Sequence, residues 1–144
     1  MLFAKRLNTH RCPHGRTAAA AVEFAFIAPV LFTVVLGIIE FGRAMMVLEI
    51  LNNAARSGCR AAVLSGSDNS AVDTAITSGL SGSGISGTTT TIKVNGTVAN
   101  ASTATTGDTV TVSVSVPADS VSWLPVTHFI TGSTLTGSVA MRRE

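Results

Sequence analysis

The longest apolar stretch of the chain lies near its N-terminus and predicts a membrane-spanning helix. Residues Phe24 to Ile39 carry no charge and are rich in Phe, Ile, Leu and Val. This stretch alone is short for a span, which needs about 20 apolar residues. Together with the alanine-rich residues before it, the segment from Thr17 to Ile39 is long enough to cross a bilayer. Glu23 is the single charged residue within that segment.

The helical pattern continues beyond the apolar segment without a break. Residues Glu40 to Leu64 contain few helix breakers, and polar side chains recur there at helical spacing as one stripe: Glu49, Asn53, Arg56 and Arg60. We therefore predict one helix from about Ala18 to Leu64, in which Pro29 can introduce a kink. Its second half is too apolar to stand alone and has to pack on a sheet or on neighbouring helices. The two arginines either bind an acidic partner or form a solvated face.

The last third of the chain alternates apolar and polar residues and predicts a sheet. A Gly/Ser-rich linker, residues 65–87, comes first and contains a predicted short helix at Asn69 to Ser78. The stretches "TTTTIKVNGTV", "DTVTVSVSVP" and "STLTGSVAMRR" then alternate, and Asn95-Gly96 is a tight-turn signal. We predict three or four antiparallel strands over residues 88–144, with the valine face packed on the helix. The fold class is α+β, with a long N-terminal helix on a small C-terminal sheet.

Two features after the predicted span have more than one interpretation. Cys59 is either a small buried thiol or a partner for a disulfide between chains. Residues Trp123 to Ile130 are unexpectedly apolar for a loop. They can form a subunit contact, dip to the membrane interface or close over the core.

The few charges of the chain predict its orientation in the membrane. Charged residues make up 12% of the sequence, below the roughly 25% of soluble domains, and the net charge is only +2. That charge gives no support for a nucleic-acid partner. The basic residues before the apolar segment are Lys5, Arg6, Arg11 and Arg16, and no acid precedes it. We therefore expect residues 1–17 to be a cytoplasmic leader and the chain after the span to be exported.

Glu23 helps to choose between three interpretations of the apolar segment. The segment can be a cleaved secretory signal, a plain anchor, or a prepilin-type signal whose basic leader is removed while the helix is kept. The apolar run is longer than the usual h-region of a signal peptide, and "GRA" before Met45, which carries an arginine, is the nearest approach to a cleavage site. A plain anchor has no use for a carboxylate that costs about 3 kcal/mol in the bilayer. In a pilin-like chain, that carboxylate can pair with the new N-terminal amine of a neighbouring subunit. The alternative interpretation is that Glu23 lies at the level of the lipid headgroups.

The stretch "AVEFAFIAPVLFTVVLGIIEFGRAM" contains a family-like pattern at Val22, Glu23, Phe24, Ala25, Ala28, Pro29, Gly37, Glu40, Phe41, Gly42 and Arg43. Through these residues the N-terminal half resembles the TadE-like pseudopilins of the tight-adherence (Flp-type) pilus system. The stretch "LNNAARSGCRAAVLSG" and the end, "LTGSVAMRRE", are similar to the family more loosely. The resemblance implies a pilin-like fold, other pilins as partners, and subunit contacts through Glu23, Phe24 and Pro29.

The resemblance also implies processing by a prepilin peptidase. In Flp-type prepilins the cut follows a glycine and leaves glutamate at the fifth mature position. Gly15 lies eight residues before Glu23, so a cut after it places the acid at the eighth position. A cut between Ala18 and Ala19 restores the fifth position. We expect cleavage in the region of Gly15, Arg16, Ala18 and Ala19.

Nothing in the sequence predicts an enzyme, a metal site or a cofactor. The exported part has one histidine, His128, and no nucleophile motif or phosphate-binding loop. His10 and His14 are four residues apart, but they lie in the basic leader, where a solvated tail is the simpler interpretation. We therefore predict a non-enzymatic protein without a cofactor, a small-molecule substrate or a nucleic-acid partner.

The sequence leaves two hypotheses for the function. In the first, the chain is an inner-membrane minor pilin that takes part in assembly of a tight-adherence pilus. In the second, it is an unprocessed single-span anchor that displays an extracytoplasmic binding module. The length and character of the mature N-terminus distinguish the two.

Overall fold

The computed structural model describes residues 14–122 and 132–144, with side chains from residue 18 onward. Residues 1–13 and the apolar segment Trp123 to Ile130 lie outside the described residues. The chain divides into two compact units, Met1–Ile38 and Ile39–Glu144. Helix α1, His14–Ala62, supplies every described residue of the first unit and also the start of the second.

Helix α1 begins four residues before the predicted start at Ala18 and ends two residues before Leu64. The alanine-rich residues 18–21 favour helix, so the helix extends back into the leader. The chain leaves the helix through a turn that ends at Gly66, whose φ of +77° suits glycine. Pro29 lies inside the helix.

Helix α2, Asn69–Leu80, forms where the linker was predicted to contain a short helix. Asp68 is its N-cap, and the carboxylate of Asp68 accepts a hydrogen bond from the Ala71 N–H at 2.9 Å. The three apolar residues on one side of α2 are buried as expected, and they are Val72, Ile76 and Leu80. The helix continues two residues past Ser78, through Gly79 to the buried Leu80.

The C-terminal residues form one antiparallel sheet of four strands. The strands are β1 (Thr89–Val94), β2 (Thr97–Val98), β3 (Thr109–Pro117) and β4 (Thr134–Arg142), in the spatial order β2-β1-β3-β4. Asn95 and Gly96 both have positive φ, 49° and 84°, and form the predicted tight turn between β1 and β2. Strands β3 and β4 pair without interruption from Thr109↔Arg142 to Pro117↔Thr134.

Hydrogen bonds fix the loop that leads into β3. The backbone N–H of Thr105 and the side chain of Asn95 donate to Asp108, at 2.7 and 2.8 Å. These bonds, with the Thr105 bond as the larger cause, hold the pKa of Asp108 below its ordinary value of 3.8. Because its folded pKa lies below its unfolded pKa, this carboxylate stabilises the fold at neutral pH. That contribution is lost only as the pH falls through the lowered value.

The core of the second unit lies between the helices and the valine face of β3. The alternating valines of β3 are fully buried, and they are Val110, Val112, Val114 and Val116. From α1, Leu51, Ala55 and Cys59 are fully buried in the same apolar cluster, to which α2 adds its three buried residues. This arrangement confirms the predicted α+β fold with a helix packed on an antiparallel sheet.

Small residues let these elements approach closely. A β-carbon placed on Gly58 would lie 2.6 Å from Cγ1 of Ile76, and one on Gly79 would lie 3.3 Å from the Cα of Ala54. At β4, a β-carbon on Gly137 would lie 2.5 Å from the backbone N of Asn52. The helix–helix and helix–sheet contacts therefore both depend on glycine at these positions.

Candidate functional site

The part of α1 in the first unit exposes apolar side chains in every direction. Residues Ala18–Ala62 form a helix long and apolar enough to span a membrane, and none of its most hydrophobic window is buried. A helix that is apolar all round and unburied suits lipid rather than water. The exposed large side chains between Ala18 and Ile38 are Val22, Phe24, Phe26, Ile27, Val30, Leu31, Phe32, Val34, Val35, Leu36 and Ile38.

Glu23 lies within this apolar surface and is exposed. Its neighbours Val22 and Phe24 are 58% and 66% exposed. Burying the exposed apolar side chains of residues 18–38 gains on the order of 20 kcal/mol, against a cost of about 3 kcal/mol for one charged residue. Insertion of the helix is therefore favourable in spite of the acid, and the carboxylate has room for a partner.

Pro29 creates a local gap in the backbone hydrogen bonds of α1. Proline has no N–H, so the carbonyl of Ala25 has no donor four residues further on. The hydroxyl of Thr33 donates to the Pro29 carbonyl at 2.8 Å, which is a common side-chain bond inside a helix. Pro29 and Glu23 are six residues apart on α1, so the gap lies close to the acid.

The predicted processing residues lie at the start of α1. Gly15 and Arg16 belong to its first turns, and Ala18 and Ala19 follow with exposed side chains. The structure thus places all four on the same continuous helix as Glu23. The side chains of His14 and Arg16, together with His10 and Cys12, lie outside the described part of the structure.

The apolar exposure of α1 continues a short way into the second unit. Phe41 and Met46 are more than half exposed. Arg43 donates through Nε to the Val121 carbonyl. Oε2 of Glu40 is buried and has no hydrogen-bond partner among the described residues. Glu40 therefore retains an acceptor that the described part of the chain does not use.

The second half of α1 shows the predicted division into a buried and a polar face. The polar stripe of Glu49, Asn53, Arg56 and Arg60 is exposed. Cys59 faces the core as a free thiol, and its Sγ donates to the Val110 carbonyl at 3.3 Å. The interpretation of Cys59 as a small buried thiol is confirmed, and a buried thiol is not available for a disulfide between chains.

Comparison with known proteins shows what part of α1 is similar to. Residues 18–60 match the family model described as TadE-like protein. No curated protein and no solved structure matches the chain. The family match confirms the resemblance that the sequence shows in its N-terminal half.

The TadE-like match covers α1 from the start of the apolar segment to Arg60. It includes Glu23, Phe24, Pro29 and the whole polar stripe, whereas α2 and all four strands lie outside it. The apolar helix indicates membrane anchoring.

Outside the TadE-like segment, a groove of about 690 Å³ lies between α2 and the edge of β1. Its residues are Asn69, Asp73, Ile76, Thr77, Thr88, Thr89, Thr90, Thr91, Ile92, Val98 and Ala99. This groove was not predicted from the sequence. Four consecutive threonines, residues 88–91, line the groove and were the signal for it in the sequence. The edge of β1 is open beside them, because β1 pairs with the two-residue strand β2 only at Lys93 and Val94.

The remaining predictions about site chemistry concern metals and the apolar loop. Among residues 18–122 and 132–144, no three His, Cys, Asp or Glu side chains are grouped so that they could hold a metal ion. The three interpretations of Trp123 to Ile130 stay open, because that segment lies outside the described residues.

Proposed function

We propose that the chain is a membrane-anchored minor pilin, or pseudopilin, that takes part in assembly of a tight-adherence (Flp-type) pilus. The observation that carries this proposal is the position of Glu23. It lies on an apolar helix exposed on all sides, inside the segment that matches the TadE-like family. The same helix continues into the second unit and forms part of its core.

In this proposal Glu23 is matched only in the assembled state. An unpaired carboxylate costs about 3 kcal/mol at the centre of a span. A prepilin peptidase that cuts between Gly15 and Ala19 releases an amine close to Glu23 in sequence. Such an amine on a neighbouring subunit can form an ion pair with Glu23 in the low-dielectric helix bundle, where an ion pair is stronger than in water. Phe24 and Pro29 are on the same helix segment and contact neighbouring helices.

The leader remains in the cytoplasm and the helix–sheet unit is exported across the inner membrane. This orientation follows from the basic leader and from the lack of basic residues immediately after the apolar run, up to Arg43. The partners are other pilins or pseudopilins and the prepilin peptidase. We propose no enzymatic role for the protein; in support, the groove between α2 and β1 is lined by one carboxylate, Asp73, with no histidine, lysine or cysteine among its lining residues.

The second candidate is a standing anchor that displays the helix–sheet unit as a binding module. The groove between α2 and β1 favours this alternative, because its size falls in the range of small-molecule sites. Its lining is rich in threonine rather than in apolar and aromatic residues, so its character fits such a site less well.

Exchange of the anchor separates the two candidates. In a strain that lacks the chromosomal gene, the wild-type chain should restore piliation. A chain in which an unrelated single span of the same orientation replaces residues 1–38 should not. The control is equal membrane abundance and equal exposure of residues 39–144 to added protease. Full piliation with the unrelated span would show that the apolar segment serves only as an anchor.

A further inference from the structure

The second unit carries a cationic flank on α1. Arg56 and Arg60 are exposed and one helical turn apart. No hydrogen bond or ion pair joins either guanidinium to another residue in the part of the chain that the structure describes. Two like charges at this spacing repel each other weakly. Arg60 lies in the last turn of α1, where a cation interacts favourably with the helix dipole, but Arg56 lies one turn earlier and has no such role.

The packing of α1 fixes the side on which this flank lies. Asn52, one turn before Arg56, accepts a hydrogen bond from the Ser138 N–H of β4 at 3.2 Å. Gly58 and Ala54 face α2 instead, through Ile76 and Gly79. Residues four apart share a helix face, whereas residues two apart point to opposite sides. Arg56 therefore lies on the β4 side of the unit, away from α2.

An acidic flank lies on the other side of the same unit. Asp73 is exposed on α2 and borders both the groove with β1 and the outer surface of the helix. Asp68 lies at the start of α2 and is also exposed. The groove and the outer surface of α2 have no basic residue among their lining residues. The threonine hydroxyls of the groove add hydrogen-bonding groups around the acid.

The two flanks have opposite charge and lie on different sides of the unit. If one cationic flank met a second cationic flank, the arginines would repel each other, and the same holds for two acidic flanks. Glu49 lies at the far end of the stripe, nearly two turns before Arg56, so it leaves the arginine pair net positive. The favourable contact between two copies is thus between unlike surfaces. Contacts of this kind repeat from copy to copy and build rings or helical filaments.

We propose that the Arg56 and Arg60 flank of one copy docks on the Asp73 flank of the next copy. The inference rests on the proposed role in pilus assembly and specifies the partner as a second copy of this chain. It also assigns Arg56 and Arg60 a binding role, which is one of the two interpretations that the sequence left open for them. Arg56 and Arg60 belong to the TadE-like segment, whereas Asp73 lies outside it.

Disulfide trapping between copies tests the contact. Two differently tagged full-length chains, one with Asn53→Cys and one with Thr77→Cys, are produced together in membranes, both with Cys12→Ser. Asn53 lies beside Arg56 on the stripe, and Thr77 lies one turn after Asp73 on α2. Mild oxidation should give the mixed product and little product between two Asn53→Cys chains. Cys59 is buried and does not compete.

Charge reversal should remove the mixed product and a second reversal should restore it. Arg56→Asp with Arg60→Asp turns attraction into repulsion at two positions, and we expect about a tenfold loss of mixed product. Adding Asp73→Arg to both chains should recover most of that loss, because the two flanks then carry opposite charges again, with the signs exchanged. Lys93→Asp, an exposed cation on the sheet, is the matched control and should change nothing.

Two results would overturn the proposal. One is that the tagged chains restore piliation but give no mixed product, which leaves the role in assembly intact and rejects this contact. The other is a mixed product that does not respond to reversal at Arg56 and Arg60. Failure of the wild-type chain to restore piliation would instead count against the proposed function, and the trapping result would still decide the contact.

Discussion

Gly137→Val is expected to destabilise the helix–sheet unit by more than about 3 kcal/mol and to leave much of it unfolded. A β-carbon at this position would lie 2.5 Å from both the Leu51 carbonyl carbon and the Asn52 nitrogen of α1. Both atoms are backbone atoms of a helix, so no side-chain rotation can relieve the overlap. Either α1 moves away from the sheet, or β4 gives up its pairing at Gly137↔Val114.

The measurement is denaturant unfolding of the full chain in detergent, followed by a probe in the second unit. Gly137→Ala should lower the free energy of unfolding by less than Gly137→Val, because it adds only one carbon to the same contact. Ala140→Val is the matched control: it also enlarges a residue of β4, but Ala140 is exposed on the opposite face of the sheet. Valine is favoured in strands, so this variant should unfold close to wild type. Equal stability of Gly137→Val and Ala140→Val would contradict the close helix–sheet contact.

Glu23→Ala should leave membrane insertion intact and reduce piliation to less than about a tenth of wild type. Removing the acid saves about 3 kcal/mol of insertion cost, so the isolated subunit becomes at least as stable in the membrane. The assembled state loses the ion pair that Glu23 makes with a neighbouring amine. Loss of that pair leaves an uncompensated amine in a low-dielectric bundle, which costs more than the pair itself contributes. Piliation is measured by counting filaments in a strain complemented with the variant.

Glu49→Ala is the control for this prediction, because Glu49 is an exposed acid on the same helix outside the apolar segment. A strain complemented with Glu49→Ala should form as many filaments as one complemented with the wild-type chain. Glu23→Gln, which keeps the size of the side chain and removes the charge, should behave like Glu23→Ala. Normal piliation with Glu23→Ala would remove the assigned role of the acid and leave the anchor interpretation in its place.

The elements of the fold could be predicted because their sequence periods are strong. The uninterrupted apolar run before Ile39, the alternation from Val110 to Val116 and the Asn95-Gly96 turn each favour one local structure. The residues that α1 buries include Leu51, Ala55 and Cys59, whose four-residue spacing places them on one face of the helix. The same spacing predicted the exposed stripe that ends at Arg60.

The contacts between elements could not be predicted, because they depend on which residues meet across the core. Nothing in "STLTGSVAMRR" shows that Gly137 lies against the backbone of α1 rather than in a bend. The groove between α2 and β1 depends on β2 being only two residues long. The opposite charges of Arg56 and Asp73 are visible in the sequence, but their placement on two different flanks follows only from the packing of α1 and α2.

The intact mass of the protein recovered from its native membrane tests most directly whether the apolar helix remains part of the working molecule. Prepilin-type processing predicts a chain that starts between Arg16 and Ala19 and retains the whole segment to Ile39 together with the sheet. A mass that places the first residue downstream of that segment, as after a secretory cleavage near Met45, would contradict the proposed function.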